Sequence, residues 1–151
     1  MKKSAMYKSM IAVIISLVFV AQSAFAYVPV RISIKWIVNA SGDRSTTGNL
    51  NTDDEINTEV DEGNSILASN FSEFRLDLLE LYDLAGVSQY YSTNATTSNC
   101  VNLGNLRSDA IANPATYGWR NDAINIYINA GPSSACSNFP PNNDIIFMNQ
   151  W

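Results

Sequence analysis

Residues 28–38 read VPVRISIKWIV. Val28, Val30, Ile32, Ile34 and Trp36 share one face of an extended chain. Arg31, Ser33 and Lys35 alternate with them until Ile37 and Val38 thicken the end. A period of two reads as a β-strand. The next stretch, residues 39–51 (NASGDRSTTGNLN), is a polar turn region, and a helix opens after it. Thr52 is placed to cap that helix, and Glu55 three residues on completes a capping box. Asp53, Asp54 and Glu55 set negative charge against the positive end of the helix dipole. Ile56, Val60, Gly63 and Leu67 then fall on one helical face, and a glycine in that stripe predicts close packing against a sheet.

Residues 74–82 fit two periods. Phe74, Leu76 and Leu78 alternate as in a strand, and Leu79 and Leu81 shift the phase by one, which a β-bulge explains. Phe71, Phe74, Leu78, Leu81 and Ala85 also fit a helix; the strand is the preferred reading. Residues 94–102 read as loop, and 103–112 as a short helix stopped by Pro114. Residues 123–129, AINIYIN, form a strand with Ile124, Ile126 and Ile128 on one face and Asn125, Tyr127 and Asn129 on the other. Gly131-Pro132 turns the chain, residues 133–143 read as a polar loop, and 144–148, DIIFM, as a final buried strand. The expected fold class is α+β with an α/β-like order: a mixed, twisted sheet of about four to five strands backed by one or two helices.

Upstream of the first strand, Lys2, Lys3 and Lys8 precede an apolar run over residues 10–21, and Ala24-Phe25-Ala26 closes the segment as a small-x-small site. These are the three parts of a secretory signal peptide with cleavage after Ala26. An apolar run of ~12 residues falls short of the ~20 that span a bilayer, so no membrane association is expected after cleavage. The expected organisation is a leader over residues 1–26 and one unit over 27–151, secreted or periplasmic. Without the leader the chain keeps six basic and fourteen acidic residues, a net charge of −8, which makes nucleic acid a poor partner. In an oxidising compartment Cys100 and Cys136 are expected to pair. A disulfide closing that loop of 36 residues is worth about 3–4 kcal/mol in the chain-entropy treatment.

The chain contains no histidine. That excludes a Ser/His/Asp triad, a Cys/His pair and any His-based zinc site. The acids at 53–55, 59, 61 and 62 follow a helical pattern, not the alternation around a sharp glycine turn that calcium loops need. Tyr90-Tyr91 and Tyr117-Gly118-Trp119 are aromatic pairs that either stack on a sugar or peptide or close the edge of a small core.

In order, VPVRISIKWIV, NTDDEINTEVDEGNSILAS, FRLDLLELYD, AINIYIN, SACSNFP and DIIFM resemble the N-terminal half of the catalytic domain of secreted metzincin-type zinc metalloproteases, nearest the pappalysin-like branch. The resemblance covers nearly all of residues 28–148. It implies a partial zincin-like sheet, the upper subdomain, in which AINIYIN is the third strand. Ala135, Cys136, Ser137, Asn138 and Phe139 would form the cleft-lining edge strand, and DIIFM the last strand before the zinc helix. In the family that edge strand pairs with an extended substrate. The zinc helix carries His-Glu-x-x-His, so both imidazoles reach one metal and the glutamate acts on its water. No residue of this chain matches that motif. The expectation is therefore a metallopeptidase-like chain that stops short of its zinc motif. It would be inactive alone, with zinc and a peptide or protein substrate belonging to a longer parent. The competing expectation is a small secreted module binding glycan or peptide through Tyr90, Tyr91, Tyr117 and Trp119 as exposed aromatics.

Overall fold

The computed structural model describes residues 26–95, 100–132, 134–137 and 144–149. The leader reading for residues 1–25 lies outside them, as do Asn138 and Phe139 of the expected edge strand. The elements in chain order are β1 (Val28–Ile37), α1 (Asp53–Ser69), β2 (Phe74–Leu84), a 3-10 turn (Ser88–Tyr90), α2 (Val101–Ala112), α3 (Pro114–Tyr117), β3 (Ile124–Asn129), β4 (Ala135–Ser137) and β5 (Ile145–Asn149). The five strands make one mixed sheet in the order β2-β1-β3-β5-β4. Pairing is parallel throughout except between β4 and β5, which run antiparallel. Parallel neighbours need long crossovers, and α1 supplies the one between β1 and β2. The α+β class expected from the sequence is the class observed.

The helix α1 begins where its cap predicts. Thr52 Oγ1 accepts from Glu55 N at 3.2 Å, and Glu55 Oε2 accepts from the backbone N–H groups of Thr52 and Asn51, each at 2.9 Å. These bonds take up amides that a helix start leaves unpaired. Gly63 faces β2 so closely that a Cβ there would stand 3.2 Å from Leu76 Cδ1. Asn64 adds a polar seam, its Oδ1 accepting from Leu76 N at 2.7 Å and its Nδ2 donating to Leu76 O at 3.0 Å. Because β2 is an edge strand, that side chain also occupies backbone groups that would otherwise invite another strand.

The phase shift in 74–82 is a bulge. Ile32 pairs with Leu78 and Ser33 with Glu80, so Leu79 has no partner on β1. The extra residue returns Leu81 to the side of Leu76 and Leu78, against Ile32, Ile34, Trp36, Ile56 and Ile128. That cluster is one of two cores and lies between the sheet and α1. The other gathers Leu84, Val87, Tyr90, Leu103, Leu106, Tyr127, Ile145 and Phe147 on the opposite face, under α2 and α3. Alternation in β1 and β3 usually marks a sheet with one wet face. Here the alternate set is buried as well: Ser33, Lys35, Asn125 and Asn129 are all at most 1 % exposed. Two readings are corrected. The stretch 133–143, read locally as loop, contains strand β4, and α2 starts at Val101, inside the expected loop 94–102. In both, the tertiary partner decides: β5 for the three residues of β4, and the core for Leu103 and Leu106.

Candidate functional site

The edge of the sheet at β4 is set by alternation along β5, its one partner strand among the described residues. Ala135 lies opposite Met148, Cys136 opposite Phe147 and Ser137 opposite Ile146. One step earlier, Asn149 N donates to Ser134 O at 2.7 Å. In an antiparallel ladder, hydrogen-bonded and non-bonded pairs alternate, so Cys136 and Phe147 form the next bonded pair. The backbone N–H and C=O groups of Ala135 and Ser137 then point away from β5, to the side where no further strand lies among the described residues and where both residues are exposed. Of the five residues expected to line a substrate edge, the structure thus places Ala135, Cys136 and Ser137 on an edge strand.

The edge is held from below. The Cys136 side chain is buried in the core and joined by a disulfide to Cys100, with Cα atoms 6.1 Å apart. At the start of β4, the Ser134 hydroxyl donates to Asn94 Oδ1 at 3.1 Å and also bonds Asn149 Oδ1. Asn149 belongs to a buried amide cluster. Its Nδ2 donates to Thr93 O at 3.1 Å and to Asn129 Oδ1, while its Oδ1 accepts from Ala95 N at 3.2 Å. Asn129 Nδ2 reaches Tyr90 O at 2.6 Å and Thr93 O at 2.8 Å. Together the two asparagines fasten residues 90–95 to the ends of β3 and β5. At the opposite end of β5, Arg107 grips Asp144 with two bonds of 2.8 and 2.6 Å, which holds the Asp144 carboxyl below the usual carboxylate range.

On the α1 side, an apolar groove of about 360 Å³ runs between Leu50, Ile56 and Val60 and the sheet residues Ile126, Ile128 and Met148. It exists because α1 covers β1 and β2 and leaves Ile126 and Met148 only half-buried.

A second polar centre lies on the other face. Lys35 is fully buried, its Nζ donating to Asn125 Oδ1 at 2.7 Å and standing 5.1 Å from the Tyr127 ring centroid. Burial pushes the ammonium down to about 8, partly opposed by the Glu80 carboxylate and assisted by Arg120. Glu80 itself is engaged by Ser33 Oγ and lies 3.7 Å from Arg120. Tyr82 closes the centre by packing over Gly118, whose φ of +58° and lack of a side chain leave room for the phenol. Lys35, Asn125 and Tyr127 are closed off from solvent, while Glu80 and Arg120 reach it at the rim of the centre. Nothing in the spacing of Lys35, Glu80 and Asn125 foretold their meeting; in the sequence Lys35 is one of three polar residues, with Arg31 and Ser33, on the alternate face of its strand.

Of the four aromatics expected to be exposed in a binding surface, two are buried and two are part-buried. Tyr90 is 8 % and Tyr117 6 % exposed, both inside the core, with Tyr91 and Trp119 packed against it. Tyr90 and Tyr117 both bond Asp109, at 2.6 and 3.4 Å, and Tyr127 donates to Tyr117 O at 2.8 Å. Each ring is large and finds a polar partner for its hydroxyl, which makes the interior the better place for it. The acids of α1 line its solvent side, with Glu55 spent on the cap. Among the described residues, no three His, Cys, Asp or Glu side chains converge as a metal-binding group. Comparison of the chain with protein families, with curated proteins and with solved structures gives no match.

Proposed function

We propose that this chain is the upper sheet subdomain of a metzincin-type, pappalysin-like peptidase fold, and that its own part of the work is to receive an extended peptide along β4. The observation that carries this reading is an antiparallel edge strand, next to the strand DIIFM, with the backbone of Ala135 and Ser137 turned outward. AINIYIN being the third strand and lying at the sheet centre is further support. An added strand gains affinity from main-chain hydrogen bonds and selectivity from alternate side chains. Zinc does not fit the residues present: the chain has no histidine and the described residues offer no converging donor set. Hydrolysis in the family belongs to a metal-bound water on a separate helix, so no hydrolytic step is assigned to these residues. Export through the leader of residues 1–26 is part of the same proposal, and a formed cystine suits an oxidising compartment.

The test is peptide binding with an edge-specific variant. Ala135→Pro removes an outward N–H that β5 does not use, so the ladder to β5 stays while strand addition is blocked. An end-blocked peptide of alternating valine and threonine should shift the amide resonances of Ala135 and Ser137 in the unmodified chain. In the variant its affinity should fall by about tenfold, near 1.4 kcal/mol, the worth of one or two lost hydrogen bonds. Equal affinity for both proteins would refute strand addition at β4. Peptidase activity from this polypeptide that EDTA abolishes would refute the assignment of hydrolysis to other residues.

A further inference from the structure

The cystine joins the short edge strand β4 to the first turn of α2. β4 has three residues and one neighbouring strand, and Cys136–Phe147 is the only bonded pair within it. At the other end, Cys100 is the N-cap of α2 and makes no side-chain capping bond. Its backbone sits at φ 55°, ψ 37°, the left-handed region that a residue with a Cβ enters only at a cost. Helix α2 therefore starts on an unfavourable conformation whose side chain is the covalent link to the edge strand. Cys136 is 8 % exposed, whereas Cys100 is half-buried, which makes Cys100 the more exposed partner of the pair.

From these observations we infer that Cys100–Cys136 is a redox-operated clamp on the peptide-accepting edge; the inference rests on the strand-addition reading of β4. A dithiol reductant attacks Cys100 Sγ through one thiolate, and the Cys136 thiolate leaves and takes a proton. The second thiol of the reductant then displaces Cys100, so the reductant closes to its own disulfide and the protein gains two thiols. Cys100 is freed to leave the left-handed conformation. Among the described residues, β4 then keeps the bonds of Ser134 to Asn94 and Asn149 and its short ladder to β5. The clamp is closed in an oxidising compartment and open where dithiols prevail, which confines peptide capture to the former.

Hydrogen exchange on the full chain, before and after treatment with dithiothreitol and after reoxidation, separates the possibilities. Reduction should speed exchange at Cys136 and Phe147 about tenfold or more and leave Ile34 and Ile128 at the sheet centre unchanged, reversibly. The double variant Cys100→Ser with Cys136→Ser should match the reduced protein. Affinity for the valine–threonine peptide should fall in parallel. Unchanged protection of β4 on reduction would overturn the clamp, and so would loss of protection across the whole sheet, which would make the bond a global staple. If exchange responds as expected but the oxidised chain does not bind the peptide, the clamp stands as a device of the fold and the strand-addition reading fails.

Discussion

At the scale of single residues, Lys35 is a charged side chain taken wholly out of water. It is fully buried with a neutral hydrogen-bond partner, and its ammonium is pushed down to about 8 from the ordinary 10.5. A depressed lysine means that, between those two values, the unfolded chain holds a proton that the folded chain has released. The lysine's own contribution to stability then rises with pH across that window. The raised phenols of Tyr82 and Tyr127 act the other way, because they keep protons that the unfolded chain releases as the pH approaches 10, so the net rise belongs to the lower part of that window. Urea titrations from pH 7 to 9 should show a gain of about 1 kcal/mol. Lys35→Met should be more stable than the parent at pH 7 and should show little of that rise. A parent whose stability falls steadily from pH 8 would contradict the burial of a charged amine. The sequence placed Lys35 on the alternate face of β1 but said nothing of its depth, since the alternation in 28–38 is the same whether that face meets water or helices α2 and α3.

Among the elements, α1 is the one whose local signals and structure coincide. Its capping box, acidic first turn and glycine-bearing stripe were all legible, because caps and periodicity act within a few residues. Thr52→Ala should lower stability by about 1 kcal/mol, read as a shift of the denaturation midpoint with unchanged slope. A change well under half of that would mean the cap at Glu55 N is dispensable. β2 was legible only as an ambiguity. Two periods competed there until the register with β1 showed that Leu79 is surplus and the element is a bulged strand. β4 was invisible to local reading, because three residues carry no period; the strand-order resemblance alone pointed to it.

Across the whole molecule, the feature with the most consequence is unequal cover. The face under α2 and α3 is closed around Leu103, Leu106, Tyr127 and Phe147. The face under α1 leaves a groove at Ile126, Ile128 and Met148. Apolar surface of this kind binds amphiphilic dyes. Anilinonaphthalene sulfonate should fluoresce with the native chain at neutral pH, and Met148→Lys should cut that signal several-fold without loss of near-UV dichroism. No enhancement with the parent would show that the groove is closed in solution. The sequence by itself determined which segments are strands and helices where a period runs long enough, the start of α1, the bulge as one of two options, and the cysteine pair. Tertiary structure decided strand order, the burial of both sheet faces, the strand identity of β4 and the withdrawal of Tyr90 and Tyr117 into the core. The reason is one of range. Caps and alternation follow from neighbours a few residues apart, whereas depth and edge position depend on which distant segment packs alongside, as α2 against β5 or β5 beside β4.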